Sequence, residues 1–242
     1  MQKNKYTYVW VSFVILVFGI IFIPKIIDRV KKGNVVENDR INLKDGNENL
    51  AYVEMNGERR KVPPFAFLDQ DSLMVTDRDY NGKVYLVEFF FTSCPTICPI
   101  MNRNLVQLQE EFKDFEDFGV ASFTIDPEHD TPSVLKTYAE EYGITDMDWH
   151  LMTGEIADIY ELANTGFSIF AAQMPEAAGG FEHAGLFALI DKQGFIRSRM
   201  DKFGNPIVYY RGAITEEEGE NDHGEEEQIS ILKQDIKKLL EE

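Results

Sequence analysis

The sequence predicts an α/β sandwich preceded by one N-terminal transmembrane helix. Three observations carry this: a charge-free apolar run near the N-terminus, continuous apolar runs of strand length, and helical-period segments alternating with them. The 242 residues suit one or two domains, and 44% hydrophobic content supports a real core. Eighteen Phe and ten Tyr argue against global disorder. A formal charge of -18 argues against a nucleic-acid partner, because phosphates need Lys and Arg to neutralise them. Two cysteines are too few for a disulfide-rich secreted scaffold.

The apolar run is "YTYVWVSFVILVFGIIFIP", residues 6–24. At about 1.5 Å per residue it spans roughly 28 Å, the thickness of a hydrocarbon core. Tyr6, Tyr8 and Trp10 suit the interface at one end. There is no small-residue cleavage site and no nearby Cys to lipidate, so an uncleaved anchor is expected. Residues 1–5 form a short flank, 25–50 a polar tether, and 51–242 the folded domain. Lys3 and Lys5 precede the span, whereas Lys25, Arg29, Lys31 and Lys32 follow it. That count alone would leave the domain in the cytoplasm. The thiol chemistry favours the opposite side, the periplasm of a bacterial cytoplasmic membrane.

"GKVYLVEFFFTS" (82–93) reads as a strand buried on both faces. Met101, Leu105, Leu108, Phe112 and Phe115 then recur at three- and four-residue steps, one face of a helix. "GVASFTID" (119–126) reads as the next buried strand. "DTPSVLKTYAEEYG" (130–143) reads as a helix, with Pro132 in its first turn and Gly143 at its end. Residues 148–154 read as a strand and 155–166 as a helix. Residues 183–200 read as a hairpin turning at Asp191–Gly194. An amphipathic helix closes the chain. A buried strand that ends at a cysteine pair where a helix starts is the thioredoxin-like placement of a thiol site.

The pair is Cys94 and Cys98, in "TSCPTICPIM". Proline is tolerated in the first helical turn, so Pro99 sets the helix start near Cys98 and leaves Cys94 in the preceding loop. Both sulfurs then lie at the positive end of a helix dipole, which favours thiolate. Helical positions four apart have Cβ atoms about 5–6 Å apart, against ~3.8 Å in a disulfide. Two thiolates across one metal stand ~4.6 Å apart if the zinc value is used. The spacing therefore suits a metal clamp at least as well as a redox disulfide. Soft sulfurs suit copper(I) or zinc rather than magnesium or calcium. One of His129, His150, His183 and His223 would complete a Cys₂His set, workable for copper in either oxidation state.

These residues resemble the Sco/SenC family of membrane-anchored, thioredoxin-like copper carriers that help assemble cytochrome c oxidase. "TSCPTICPIMNRNLVQL" is similar to the family's C-x-x-x-C-P signature. "FTIDPEHDTPSVLKTYAEEYG" resembles its D-P-x-x-D-T-P segment, and "WHLMTG" its W-x-x-L-T-G. "FEHAGLFALIDKQGFIR" resembles the segment that carries its histidine ligand. The resemblance covers about residues 60–242, together with the anchor. It implies Cys94, Cys98 and His183 as copper ligands, with Asp126 and Asp130 supporting them from outside the ligand set. It also implies an oxidase subunit as partner, most plausibly the CuA-bearing one, with other copper carriers as further partners. Glu182 and Ala184 stand where the family usually has Asp and Ser.

The remaining polar features have plainer readings. His129 is expected to be exposed in the acidic "DPEHDTP" loop, His150 structural and His223 solvated. Met101 is expected in the core. Residues 216–227 carry eight acids in twelve positions and read as a solvated loop without the ligand spacing of a calcium site. The same dithiol could instead serve a thiol–disulfide oxidoreductase, with Cys94 attacking and Cys98 resolving. The metal carrier is the preferred reading and the enzyme its alternative. No Arg- and Ser-rich presequence is visible, so a bacterial source is expected.

Overall fold

The computed structural model describes residues 10, 12, 13, 16–18, 50–200 and 206–242. The chain divides into two units, Met1–Glu48 and Asn49–Glu242. In the first, the described residues are helical and exposed, Trp10, Phe13, Leu16 and Phe18 among them. Most of the anchor expected over 6–24 and nearly all of the tether over 25–50 lie outside the described residues. Among the described residues, no helix is long and apolar enough to cross a membrane.

In the second unit, short strands come first: β1 (Ala51–Tyr52), β2 (Glu54–Met55), β3 (Glu58–Arg59), β4 (Ala66–Leu68) and β5 (Met74–Thr76). The core follows as β6 (Val84–Phe90), α1 (Cys98–Phe112), β7 (Phe118–Thr124), α2 (Pro132–Tyr142), β8 (Trp149–Met152) and α3 (Ile156–Glu161). The last part comprises β9 (Ala171–Gln173), β10 (Phe181–His183), β11 (Leu186–Ile190), β12 (Ile196–Ser198), β13 (Tyr210–Arg211) and α4 (Ile229–Glu241). The main sheet runs β1-β12-β11-β6-β7-β8, with β13 alongside β11. β6, β7 and β8 are parallel, and β11 joins β6 antiparallel.

β6 and β7 are buried at every position. Their mostly apolar runs have no solvent face to mark, as expected for strands covered on both sides. On one face, Phe90 packs on Tyr138 of α2, and Phe118 on Phe112 of α1. On the other face, Phe123 meets Phe65, Phe67 and Phe89 at ring-centroid distances of 5.1, 5.7 and 5.5 Å.

Helix ends follow the local chemistry. Pro99 occupies the first turn of α1, and Pro132 opens α2. Gly143 ends α2 at φ 72°, a left-handed position where glycine carries no Cβ penalty. The helix expected over 155–166 departs from plan: the α-helix stops at Glu161 and widens into a π-helical stretch, Leu162–Phe167. Arg60 holds that widened end through hydrogen bonds to the carbonyls of Gly166 and Phe167. The hairpin expected over 183–200 is also corrected. It begins at Leu186 and turns at Asp191–Gly194, whereas His183 belongs to a separate hairpin, β9–β10.

Truncating Phe123 removes a fully buried ring with three aromatic neighbours. Phe123→Ala is expected to cost about 3–5 kcal/mol in urea unfolding. Met147→Ala, at a position 90% exposed, is expected to change stability by less than about 0.5 kcal/mol.

Candidate metal centre

The centre forms where β6 leaves the sheet. Phe91 follows the strand and stays buried, and the Cys94 amide hydrogen-bonds back to the Phe91 carbonyl at 3.2 Å. This turn sets Cys94 in front of α1. Cys98 is the first residue of α1, as the position of Pro99 predicted. No side chain caps this end of the helix, so its dipole faces the two sulfurs. Ligand sites in open α/β sheets lie beyond the carboxyl ends of the strands, and this one does too.

His183 arrives from the other side. The β9–β10 pairing sets it opposite Ala171. The Asn164 side-chain amide donates to the Ala171 carbonyl at 2.9 Å and accepts from its N–H at 3.2 Å, and the Ala184 amide bonds to the Phe170 carbonyl. Phe91 packs edge-on to the His183 ring, with centroids 5.8 Å apart, and also contacts Phe181.

The result is a group of three soft or borderline donors. The ligand atoms of Cys94, Cys98 and His183 all lie within 4.8 Å of one another. Cys98 Sγ stands 3.2 Å from His183 Nε2, and Cys94 Sγ stands 3.6 Å from Thr96 Oγ1. Two thiolates and an imidazole arranged trigonally on one ion, each about 2.0–2.3 Å from it, would stand roughly 3.5–4 Å apart. The cluster therefore fits a single metal ion with little rearrangement. All three residues are buried, yet Cys94 and His183 line a cavity of about 200 Å³ with Phe91, Thr96, Ile97 and Phe181.

The two thiols differ electrostatically. The neighbouring Cys98 thiol, and then His183, stabilise ionised Cys94 and hold its pKa well below the ordinary thiol value, against the effect of burial. Cys98 moves the other way, because a charged Cys94 beside it and its own burial both oppose a second negative charge. Ionisation is thus favoured at Cys94 over Cys98. His183 Nδ1 is buried without a hydrogen-bond partner. Neither Glu182 nor Ala184 supplies one, so the ring is oriented by Phe91 packing and by the Cys98 Sγ contact at Nε2.

Asp126 and Asp130 take a different place from the ligands. With His129 they form a second close group, all ligand atoms within 4.8 Å. Asp130 is fully buried and accepts hydrogen bonds from the Thr92 amide, Thr92 Oγ1 and Thr124 Oγ1. It also pairs with His129 Nδ1 at 2.9 Å and raises the pKa of that exposed imidazole. Asp126 has a raised pKa through burial and the charge of Asp130. Among the described residues, neither acid bonds to Cys94, Cys98 or His183. Asp130 instead fixes Thr92, two residues before Cys94. His150 bonds to Asp69 at 3.0 Å and Met101 lies in the core, both as expected. His223 is exposed in the acidic loop, whose carboxylates are largely solvated.

Sequence reasoning missed the β9–β10 hairpin and Asn164. The usable signal was Gly179–Gly180, both at positive φ at the turn.

Comparison with known proteins places this geometry in a family. Residues 53–214 match the family model described as SCO1/SenC. The SCO1 protein homolog of Bacillus subtilis is 35% identical over 136 residues, covering 55% of this chain and 70% of that protein. A Stutzerimonas stutzeri protein named copper-binding is 29% identical, covering 62% of this chain and 74% of its own. A SCO1/SenC family lipoprotein from Bacillus anthracis has a solved structure with TM-score 0.61 and 27% identity, over 74% and 95% of the two chains. BsSco, described as a cytochrome c oxidase assembly protein with a disulfide switch, gives TM-score 0.59 and 28% identity, over 75% and 94%. The mixed α/β, thioredoxin-like fold is shared.

Two outcomes follow from the site. At pH 6, below the ordinary thiol range, iodoacetamide should label Cys94 of the reduced, metal-free protein at least tenfold faster than Cys98, read by peptide mass spectrometry. Asp130→Ala should leave Thr92 without its partner and weaken metal retention by about 10–100-fold. Direct titration checks this, with circular dichroism confirming the fold.

Proposed function

We propose that this chain, which belongs to the SCO1/SenC family, carries one copper ion on Cys94, Cys98 and His183. It hands the ion to a cytochrome c oxidase subunit by ligand exchange, at the CuA site. The observation that carries this is the convergence of two sulfurs and one imidazole within 4.8 Å at the mouth of a small cavity. Soft thiolates select copper(I) over hard cations, and the added imidazole also accommodates copper(II). A closed structural zinc site would need a fourth ligand, and among the described residues the cluster holds three. The copper-binding name of one relative and the oxidase-assembly role of BsSco support the same reading.

Three donors suit transfer. A three-coordinate ion leaves room for an incoming ligand before an outgoing one departs. Residues 6–24 would anchor the protein and 25–50 would tether the domain, 51–242, on the periplasmic side of a bacterial membrane. The lipoprotein description of the Bacillus anthracis relative supports attachment to a membrane.

The thiolate–thiol asymmetry favours one second reading, a thiol–disulfide oxidoreductase. Cys94 would attack a partner disulfide and Cys98 would release the mixed intermediate. The disulfide switch described for BsSco points the same way.

Anaerobic titration of the reduced full chain with copper separates the readings. Metal content and thiolate charge-transfer absorption are followed together. Wild type should retain one copper per chain. His183→Ala should weaken copper(II) binding by about tenfold or more, while leaving thiol-based reductase activity largely intact. Stoichiometric retention in the Cys94→Ala, Cys98→Ala double variant would sink the carrier. No retained copper, beside a readily cycled Cys94–Cys98 disulfide, would favour the reductase.

A further inference from the structure

The loop after β7 gathers one nitrogen donor and two carboxylates outside the sulfur centre. In "DPEHD", residues 126–130, the backbone N–H groups of His129 and Asp130 both turn back to the Asp126 carbonyl, at 3.2 and 2.9 Å. The turn brings the side chains of Asp126, His129 and Asp130 together, with their ligand atoms all within 4.8 Å of one another. His129 Nδ1 stands 2.9 Å from Asp130 Oδ1. That is a hydrogen-bond distance, and it is also a coordination distance. Two ligand atoms about 2.0–2.2 Å from one ion, at right angles across it, stand about 2.9 Å apart.

The three donors are presented unequally. Asp130 has no exposure. Its Oδ2 accepts from the Thr92 amide and Thr124 Oγ1, and its Oδ1 accepts from Thr92 Oγ1, with a second lone pair left for His129. The carboxylate is therefore fixed before any ion arrives. The His129 side chain is 58% exposed and Asp126 is half-buried, so the same spot is open to water. Two carboxylates held this close repel each other, and exposed Glu128 adds a third negative charge to the loop. Among the described residues, no Lys or Arg forms an ion pair with Asp126 or Asp130. A proton on His129 offsets one charge, whereas a divalent ion offsets two and keeps every bond that Asp130 makes to Thr92 and Thr124.

We propose that Asp126, His129 and Asp130 form a second cation site, separate from the sulfur centre, that takes one divalent first-row transition ion. One imidazole and two carboxylates suit copper(II), nickel and zinc, with copper(II) bound most tightly by the general order of affinities. Copper(I) prefers thiolates and gains little from this set. Magnesium and calcium want oxygen ligands throughout, so the imidazole disfavours them. Water completes the coordination from the exposed side. The formal charge of -18 raises the local concentration of cations around such a site. The chain thus carries two donor sets of opposite preference, a soft one at the start of α1 and a harder one in the loop after β7.

The test uses the tag-free full chain in detergent, with Ni²⁺ as the probe. Wild type is first treated with diethyl pyrocarbonate, with and without Ni²⁺, and each histidine is read by peptide mass spectrometry. Saturating Ni²⁺ should slow the modification of His129 at least about fivefold and leave His223, exposed in the acidic segment, within about twofold. Ni²⁺ binding is then measured by equilibrium dialysis in the Cys94→Ala, Cys98→Ala background, which removes the sulfur centre. This background should bind one Ni²⁺. Adding His129→Ala should weaken binding at least about tenfold, whereas adding His223→Ala should not. Equal protection of both histidines, or an affinity unchanged by His129→Ala, would overturn the inference. If circular dichroism shows that the double cysteine background does not fold, protection in the wild type decides alone. An ion held only at this open site should wash out on desalting, so it does not imitate copper retained by the thiols. The failure of this site and the failure of the copper carrier are therefore read separately.

Discussion

The junction between β6 and α1 is the constraint on which the rest depends. A strand buried on both faces must end somewhere, and here it ends against an uncapped helix N-terminus. The free amide groups of that first turn favour negative charge nearby. Pro99 fixes the register, because it cannot sit deeper in the helix. Cys98 is thereby locked as the opening residue of a helix whose inner face, Met101, Leu105 and Leu108, has no exposure. Cys94 stays in the turn. Sliding the helix start by one residue would bury one sulfur in the core or expose the other.

The strands beside β6 hold this junction from behind. Asp130 reaches from the loop after β7 to the Thr92 amide and hydroxyl, while Thr124 bonds the same carboxylate. A buried carboxylate bound by three donors resists displacement more than a loop held by van der Waals contact alone. That brace explains why acids occur so near a thiolate that they would otherwise repel. Asp130 acts on the loop geometry through Thr92 and makes no hydrogen bond to either sulfur. The acidic segment after β13 is separate from this: its charges face water and pair locally, as Arg211 does with Glu225.

Much of this was legible in the sequence, for identifiable reasons. β6 and β7 announce themselves through runs rich in Val, Phe and other strand-forming residues, and α2 through Pro132 and Gly143. The cysteine geometry followed from Pro99 alone. The choice of His183 over three other histidines did not follow from spacing; it came from the family resemblance, which the match over residues 53–214 upholds. The hairpin that presents His183 stayed hidden because its strands are three residues each and its anchors are side-chain contacts with no sequence signature. Asn164 grips Ala171 from the π-helical stretch, and Phe91 supports Phe181. The π-helical widening was equally invisible, since it depends on Arg60, more than a hundred residues away in sequence.

The two halves of the cluster are built to different stiffness. The sulfurs belong to a strand–helix unit with a dense core and a braced loop. His183 belongs to a two-stranded hairpin outside the main sheet, its ring held by aromatic packing and by no hydrogen bond at Nδ1. A second hydrogen bond normally fixes the tautomer and direction of a ligating imidazole. At Nδ1 that bond is missing among the described residues, so the ring's direction rests on Phe91 and on the Cys98 contact at Nε2. For a storage site that would be a weakness. For the carrier proposed above it would be a useful asymmetry, because the thiolates would keep the ion while the imidazole yielded the first position to an incoming ligand.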